Sequence, residues 1–149
     1  MGRRAINVLR LMELPYKFGS GNPITGGRRY TVLVNSETVV LTPDDSGATV
    51  ILGGDGIGIA TLPAVASGLW FNFVSVSAHV HIVNGGASVI QGCVHHNTNG
   101  TTIGRSVATN ETTAALDSTN PKAGDTFRMV CDGTNWYIDG LTNAAMAFA

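Results

Sequence analysis

Hydrophobic and polar positions alternate with a period of two over most of this chain. The clearest case is residues 124–140, GDTFRMVCDGTNWYIDG, whose large apolar positions on the first half are Phe127, Met129 and Cys131. A period of two is typical of a β-strand with one buried face, and Asp-Gly is a common hairpin turn. The stretch therefore predicts a β-hairpin that turns at Asp132-Gly133, returns through Trp136 and ends at Asp139-Gly140.

Similar runs recur from Tyr30 to the C-terminus, and turn residues separate them at roughly the eight-to-twelve-residue spacing typical of sandwiches and barrels. We expect residues 31–35 to pair with 38–42, and 48–52 with 57–62. No helical crossover separates the strands, so a parallel α/β sheet is not expected. The pattern predicts an all-β fold, an antiparallel β-sandwich or barrel of jelly-roll type.

The run from Leu69 to Val76 is apolar on both faces, which predicts a central strand covered on both sides. Large aromatic residues dominate the expected core because they bury the most surface. The core anchors expected from the sequence are Trp70, Phe71, Phe73 and Trp136. The later segment 95–124 is polar and predicts only short strands, and 141–149 predicts an edge strand.

The first 29 residues differ in charge from the rest of the chain. Six of the nine basic residues lie there, opposed only by Glu13: Arg3, Arg4, Arg10, Lys17, Arg28 and Arg29. Residues 2–14 have the spacing of a short amphipathic helix that Pro15 ends, and 15–29 are linker-like. We expect two regions, a basic extended arm at 1–29 that docks on an acidic partner and a β-body at 30–149.

The amino-acid composition further limits the kinds of protein that this chain could be. Hydrophobic residues make up 44% of the chain and charged residues only 13%, about half the usual charged fraction of roughly 25%. Surfaces so poor in charge suggest cover by neighbouring subunits. Two cysteines do not make a disulfide framework, and we expect no signal peptide and no membrane span, hence a protein made in a cytoplasm.

The residues that could support chemistry form no recognisable catalytic set. His79 and His81 are two apart on an expected strand, with His95 and His96 further along, but no zinc-binding motif accompanies them. A single ion held by His79 or His81 on a trimer axis is left as an alternative. The aspartates mostly sit in turn sequences. We expect no enzyme activity, no metal and no cofactor.

An ordered set of short motifs resembles a known class of proteins. Within residues 42–140 these are Asp45-Ser46-Gly47, Ala60 to Ala64, Gly68 to Val74, Ile90-Gln91-Gly92, Gly124-Asp125, Asp132 to Tyr137, and Gly140. In this order they resemble capsid decoration (cement) proteins of tailed bacteriophages. The resemblance implies a homotrimer on the outer face of the virion head, bound to the major capsid protein, with neither nucleic acid nor a membrane as partner.

Two other functions are considered. A fibre module that binds a receptor or glycan would use the polar segment 95–124, and Trp70 or Trp136 would line a sugar groove. A β-fold hydrolase would need carboxylates hidden among the turn aspartates, such as Asp125 and Asp132.

Overall fold

The computed structural model describes residues 31–98, 102–116 and 122–149. Within these ranges the chain forms strands and one 3₁₀ turn, Pro43–Asp45. The strands are β1 (Thr31–Asn35), β2 (Thr38–Val40), β3 (Thr49–Gly53), β4 (Gly58–Thr61), β5 (Trp70–Ser75), β6 (His81–Asn84), β7 (Ile90–Thr98), β8 (Thr102–Glu111), β9 (Thr113–Ala115), β10 (Thr126–Cys131), β11 (Trp136–Thr142) and β12 (Ala147–Phe148).

Two sheets enclose one hydrophobic core. The seven-stranded sheet has the order β1-β3-β5-β10-β11-β7-β8, and the five-stranded sheet has the order β12-β9-β6-β4-β2. Strand β12 is the edge strand expected in the last residues. The predicted all-β sandwich is confirmed, but strand pairing is mixed rather than antiparallel throughout.

The first six strands form three stacked arches: β1–β2, β3–β4 and β5–β6. In each arch the first strand joins the seven-stranded sheet and the second joins the five-stranded sheet. Equivalent strands of successive arches pair in parallel, so that Val34 lies opposite Leu52 and Ile59 opposite Ile82. The hairpins predicted within residues 31–42 and 48–62 are therefore wrong.

The bend at Ser36 explains this difference. Ser36 has a φ of 56°, and its N–H donates to the carbonyl oxygen of Gly53 in the next arch. The carbonyl oxygen of Glu37 likewise accepts from the N–H of Ile59. Because backbone groups at the bend bond to the neighbouring arch, the chain passes from one sheet to the other instead of folding back beside itself.

The hairpin β10–β11 occupies the middle of the seven-stranded sheet, as its sequence predicts. Cys131 lies opposite Trp136, and Met129 lies opposite Ile138. However, β11 does not end at Asp139-Gly140 but continues to Thr142. At Gly140 a Cβ would collide with Phe127, so glycine is needed there for close packing and not for a turn.

Aromatic rings fill the core beneath this hairpin. The rings of Phe71 and Trp136 have centroids 5.8 Å apart in a tilted arrangement, and those of Phe73 and Phe127 stack at 4.9 Å. Phe71, Phe73 and Trp136 have no exposed surface. Such offset pairs add to the stabilisation that burial of apolar area already provides.

The two longest strands, β7 and β8, pair with each other as a second hairpin. The expectation of only short strands in 95–124 is therefore wrong. The pairing shifts register between Ile90 and Gly92. The extra residue lies on β8, where Asn110 has a φ of 60°. On β7, Gly92 has a φ of 116° and a Cβ there would meet the carbonyl oxygen of Ile138 on β11, so this position requires glycine.

Candidate interaction surface

The outward-facing residues of the seven-stranded sheet form a broad surface, here called the outer face. Nine large hydrophobic side chains are exposed in the described residues, and six of them lie on this face: Leu33, Ile103, Val107, Val130, Tyr137 and Leu141. Ile103 is 82% exposed and Leu141 is 61% exposed. Exposed apolar residues gathered on one sheet face mark interaction sites more often than isolated surface residues do.

Strand register arranges the outer face in rows that run across the strands. One apolar row contains Leu33, Ile51, Val74, Thr126 and Leu141. The other apolar row contains Trp70, Val130 and Tyr137. Between them runs a polar row: Thr31, Thr49, Asn72, Arg128, Asp139 and Cys93. The face is thus a shallow polar trough between two apolar ridges.

The middle of the polar row forms a groove of about 380 Å³, lined by residues that include Thr49, Asn72, Arg128 and Asp139. Arg128 and Asp139 are direct cross-strand partners on β10 and β11. The Arg128 guanidinium carbon lies 5.1 Å from the centre of the Trp70 ring. This cation–π contact places the arginine beside the Trp70 ring, while its side chain remains exposed.

Trp70 is therefore not a core residue, in contrast to the expectation from the sequence. It is half-buried and shares the outer face with Asn72, while Phe71 and Phe73 point into the sandwich. Both phases of β5 are apolar, so the alternation could not decide which phase faces inward. Trp136 is fully buried, as expected of a core anchor, so the alternative in which it lines a sugar groove fails.

The histidines are not arranged as the sequence suggested. His79 lies before β6 and is exposed, whereas His81 begins β6 and is buried, so the two do not form one histidine face. The Nδ1 atom of His81 accepts from the Gly58 N–H at 3.1 Å, and Nε2 lies 2.8 Å from the Ser77 hydroxyl. Burial, reinforced by His79, lowers the pKa of His81.

These bonds fix the protonation state of His81. Nδ1 faces a backbone donor and must accept, so the ring proton sits on Nε2 and is donated to Ser77. Both ring nitrogens are thereby occupied, and His81 cannot serve as the axial metal ligand considered above. Within the described parts of the chain, no group of three histidine, cysteine or carboxylate side chains could hold a metal ion.

His95 and His96 point to opposite faces of β7. His95 is exposed in the outer face opposite Leu141, and the ring of His96 packs against Gly104 on β8. Cys93 is half-buried in the same outer face, and Cys131 is buried in the core; both are free thiols. Cys93 and His95 therefore share the outer face, whereas His96 lies on the opposite side of β7.

The two aspartates suspected of hidden chemistry stabilise loops. Asp132 accepts from the N–H groups of Thr134 and Asn135 and from the Tyr137 hydroxyl. These bonds lower the pKa of Asp132; the backbone N–H of Asn135 has the largest effect, and that of Thr134 the next largest. Asp125 is buried and accepts from both the backbone and the side-chain amide of Asn143, each at 2.7 Å.

The six basic residues predicted to bind an acidic surface, Arg3, Arg4, Arg10, Lys17, Arg28 and Arg29, lie outside the described residues. Among the described residues, no helix is long and apolar enough to cross a membrane. No family model, curated protein or solved structure matches the chain.

Sequence reasoning missed the outer face as a site. One signal was available: Val130, Tyr137 and Leu141 are apolar although they fall on the phase opposite to the buried residues of their strands. Strand pairing was still needed to show that these residues join Leu33 and Val107 on one surface.

Proposed function

We propose that this protein is a structural component of a bacteriophage virion, a trimeric decoration protein that binds the outside of the head shell and stabilises it. The outer face is the observation that supports a contact-making role most directly. A β-body with six exposed large hydrophobic side chains on one sheet has the kind of surface that associates with protein. The motif resemblance described above supports the assignment to a virion.

The charge distribution supports different contacts for segment 1–29 and for the β-body. Residues 1–29 hold six of the nine basic residues, while the rest of the chain holds nine of the ten acidic ones. In the proposal, the basic segment attaches to acidic patches of the major capsid protein, and the body contacts neighbouring copies. Many copies on one shell allow each attachment to be weak, because avidity accumulates.

The attachment step is tested by neutralising charge in the full-length chain. Replacing the six basic residues of 1–29 with Gln should lower occupancy on undecorated heads of the virus that encodes this chain by about tenfold or more. Co-sedimentation of the protein with the heads measures occupancy. Binding of the unmodified protein should weaken as salt rises, because exposed charges are screened.

A matched pair of single variants locates the effect. Arg28→Gln removes one charge from the basic segment, and Lys122→Gln removes one exposed charge from the body, away from the outer face. Only the first variant should reduce binding. Equal loss from both variants, or full occupancy after all six substitutions, would show that the basic segment does not mediate attachment.

A glycan-binding fibre module is the second candidate, and the polar row favours it. Thr49, Asn72, Arg128 and Asp139 provide hydrogen-bonding groups beside Trp70, a combination suited to a sugar ring. In that case Asn72→Ala should abolish a specific signal on a glycan array. A decoration protein gives no specific glycan signal, and antibody labelling of the virion places it across the head.

A further inference from the structure

We infer that the outer face of the seven-stranded sheet packs against a second copy of this chain and forms the contact between subunits. The inference deepens the proposed function, on which it rests, by naming the surface that joins the protomers. Apolar ridges would supply the buried area, and the polar row between them would supply directional hydrogen bonds. An apolar patch with polar groups interspersed is the usual composition of a protein interface.

The size of the face suits a protein partner. Seven strands of about six residues cover roughly 34 Å by 20 Å, from the usual strand spacing and rise. That is about 700 Å², close to the roughly 800 Å² per partner that a stable interface buries. The outward face of the five-stranded sheet has shorter strands and covers roughly 24 Å by 11 Å. It is too small to support an interface by itself.

The charges on the outer face favour a copy of the same chain. The described polar residues include Arg105 and Arg128 but also Asp139, so the face has no single dominant sign. A nucleic acid needs a cationic surface, which this face is not. The basic segment 1–29 would bring further positive charge next to Arg105 and Arg128. A second copy of the chain carries few charges, of both signs. It therefore does not need a cationic surface, as a nucleic acid does, and it does not add the positive charge that the basic segment would bring.

Cys93 provides a built-in probe of this contact. It lies in the polar row between Asp139 on β11 and Val107 on β8, and it is half-buried within one protomer. The other thiol, Cys131, is 2% exposed and points into the core. A thiol reagent applied to the folded protein therefore reports on the outer face and not on the interior.

The experiment combines light scattering with Cys93 labelling on the purified full-length chain. We expect a mass of at least twice 15.5 kDa. Labelling of Cys93 should slow on the order of tenfold between dilute and concentrated samples, because reaction in the assembly first requires dissociation. Leu141→Glu should return the mass to one chain and restore fast labelling.

Ile57→Glu is the matched control. Ile57 is 56% exposed, close to the 61% of Leu141, but lies before β4, away from the outer face. The control should assemble as the unmodified protein does. Circular dichroism should show β structure in both variants, which separates loss of contact from loss of folding.

Three results would overturn the inference. The first is a monomer whose Cys93 reacts quickly at every concentration. The second is an assembly that persists in Leu141→Glu with Cys93 still reactive, which would place the contact elsewhere. The third is a monomer with protected Cys93, which would mean that another segment of the same chain covers the face. None of these measurements involves capsids, so head binding by the unmodified protein is judged separately.

Discussion

The backbone N–H of Gly58 donates a hydrogen bond to Nδ1 of the buried His81 ring across 3.1 Å. The two residues are also direct partners in the parallel pairing of β4 and β6. A side chain of the third arch is thereby bonded to the backbone of the second arch inside the sandwich. The stacking of the arches depends on an imidazole that stays neutral.

Acid should therefore loosen the arches. The pKa of His81 is lowered from 6.5 in the folded chain. Above about pH 6.5 the ring is neutral in both states and its stabilisation is fully present; as pH falls below that value, the unfolded chain gains a proton that the folded ring resists. The free energy of unfolding should fall by up to about 1.4 kcal/mol per pH unit.

Denaturant unfolding between pH 7.5 and 5.5 measures this slope. His81→Gln should flatten it relative to the unmodified protein. An identical slope in both proteins would assign the acid sensitivity to other groups.

Gly58→Ala tests the same contact sterically. A Cβ at this position would lie 2.9 Å from Cγ1 of Val34 and 3.0 Å from Nδ1 of His81. Crowding of this kind in a packed core costs about 1–3 kcal/mol. Gly56→Ala is the control, because its nearest neighbour would be 3.5 Å away. Thermal melting should show a clear loss of stability for the first variant only.

The two tryptophans should differ sharply in their contribution to stability. Trp136→Ala removes a fully buried ring that contacts Phe71 and should cost about 3–5 kcal/mol. Trp70→Ala removes a half-buried ring and one cation–π contact, and should cost about 1–2 kcal/mol. Urea unfolding compares them directly. Equal losses would contradict the assignment of Trp70 to the outer face.

Asp125 should prove structural. Asp125→Ala leaves the Asn143 backbone and side-chain amides without their acceptor, and we expect a cost of about 2–3 kcal/mol. Asp44→Ala, at an exposed position in the 3₁₀ turn, should change stability by less than about 0.5 kcal/mol. Chemical denaturation of both variants provides the measurement, and a neutral Asp125→Ala would refute the role given to this carboxylate.

Elements formed by neighbouring residues could be predicted from the sequence, whereas elements that depend on distant strands could not. The β10–β11 hairpin was predictable because its alternation, its Asp-Gly turn and its partner strand are contiguous. The arches were not, because alternation around Ser36 is the same whether the chain folds back or crosses to the other sheet. The choice depends on two hydrogen bonds to the second arch. The carbonyl oxygen of Gly53 accepts from the N–H of Ser36, and the N–H of Ile59 donates to the carbonyl oxygen of Glu37.

The candidate surface was hidden for a related reason. Trp70 and Phe71 look equally suited to the interior until the second sheet covers one side of β5. Likewise, Leu33 and Leu141 are far apart in sequence and come to one face only through five strands of pairing. Burial by a partner sheet is a property of the whole fold, which the local period of two does not contain.

The parallel stack of arches has a consequence for the evolution of this chain. Each arch adds one strand to both sheets at once, and among the described strands β1 and β2 lie at the ends of their sheets. A tandem duplication of β3 and β4 with their connections would insert one more layer and lengthen the body by about 4.8 Å. The number of arches thus sets the length of the body, and gene duplication can change that number without altering the hairpins at the other end.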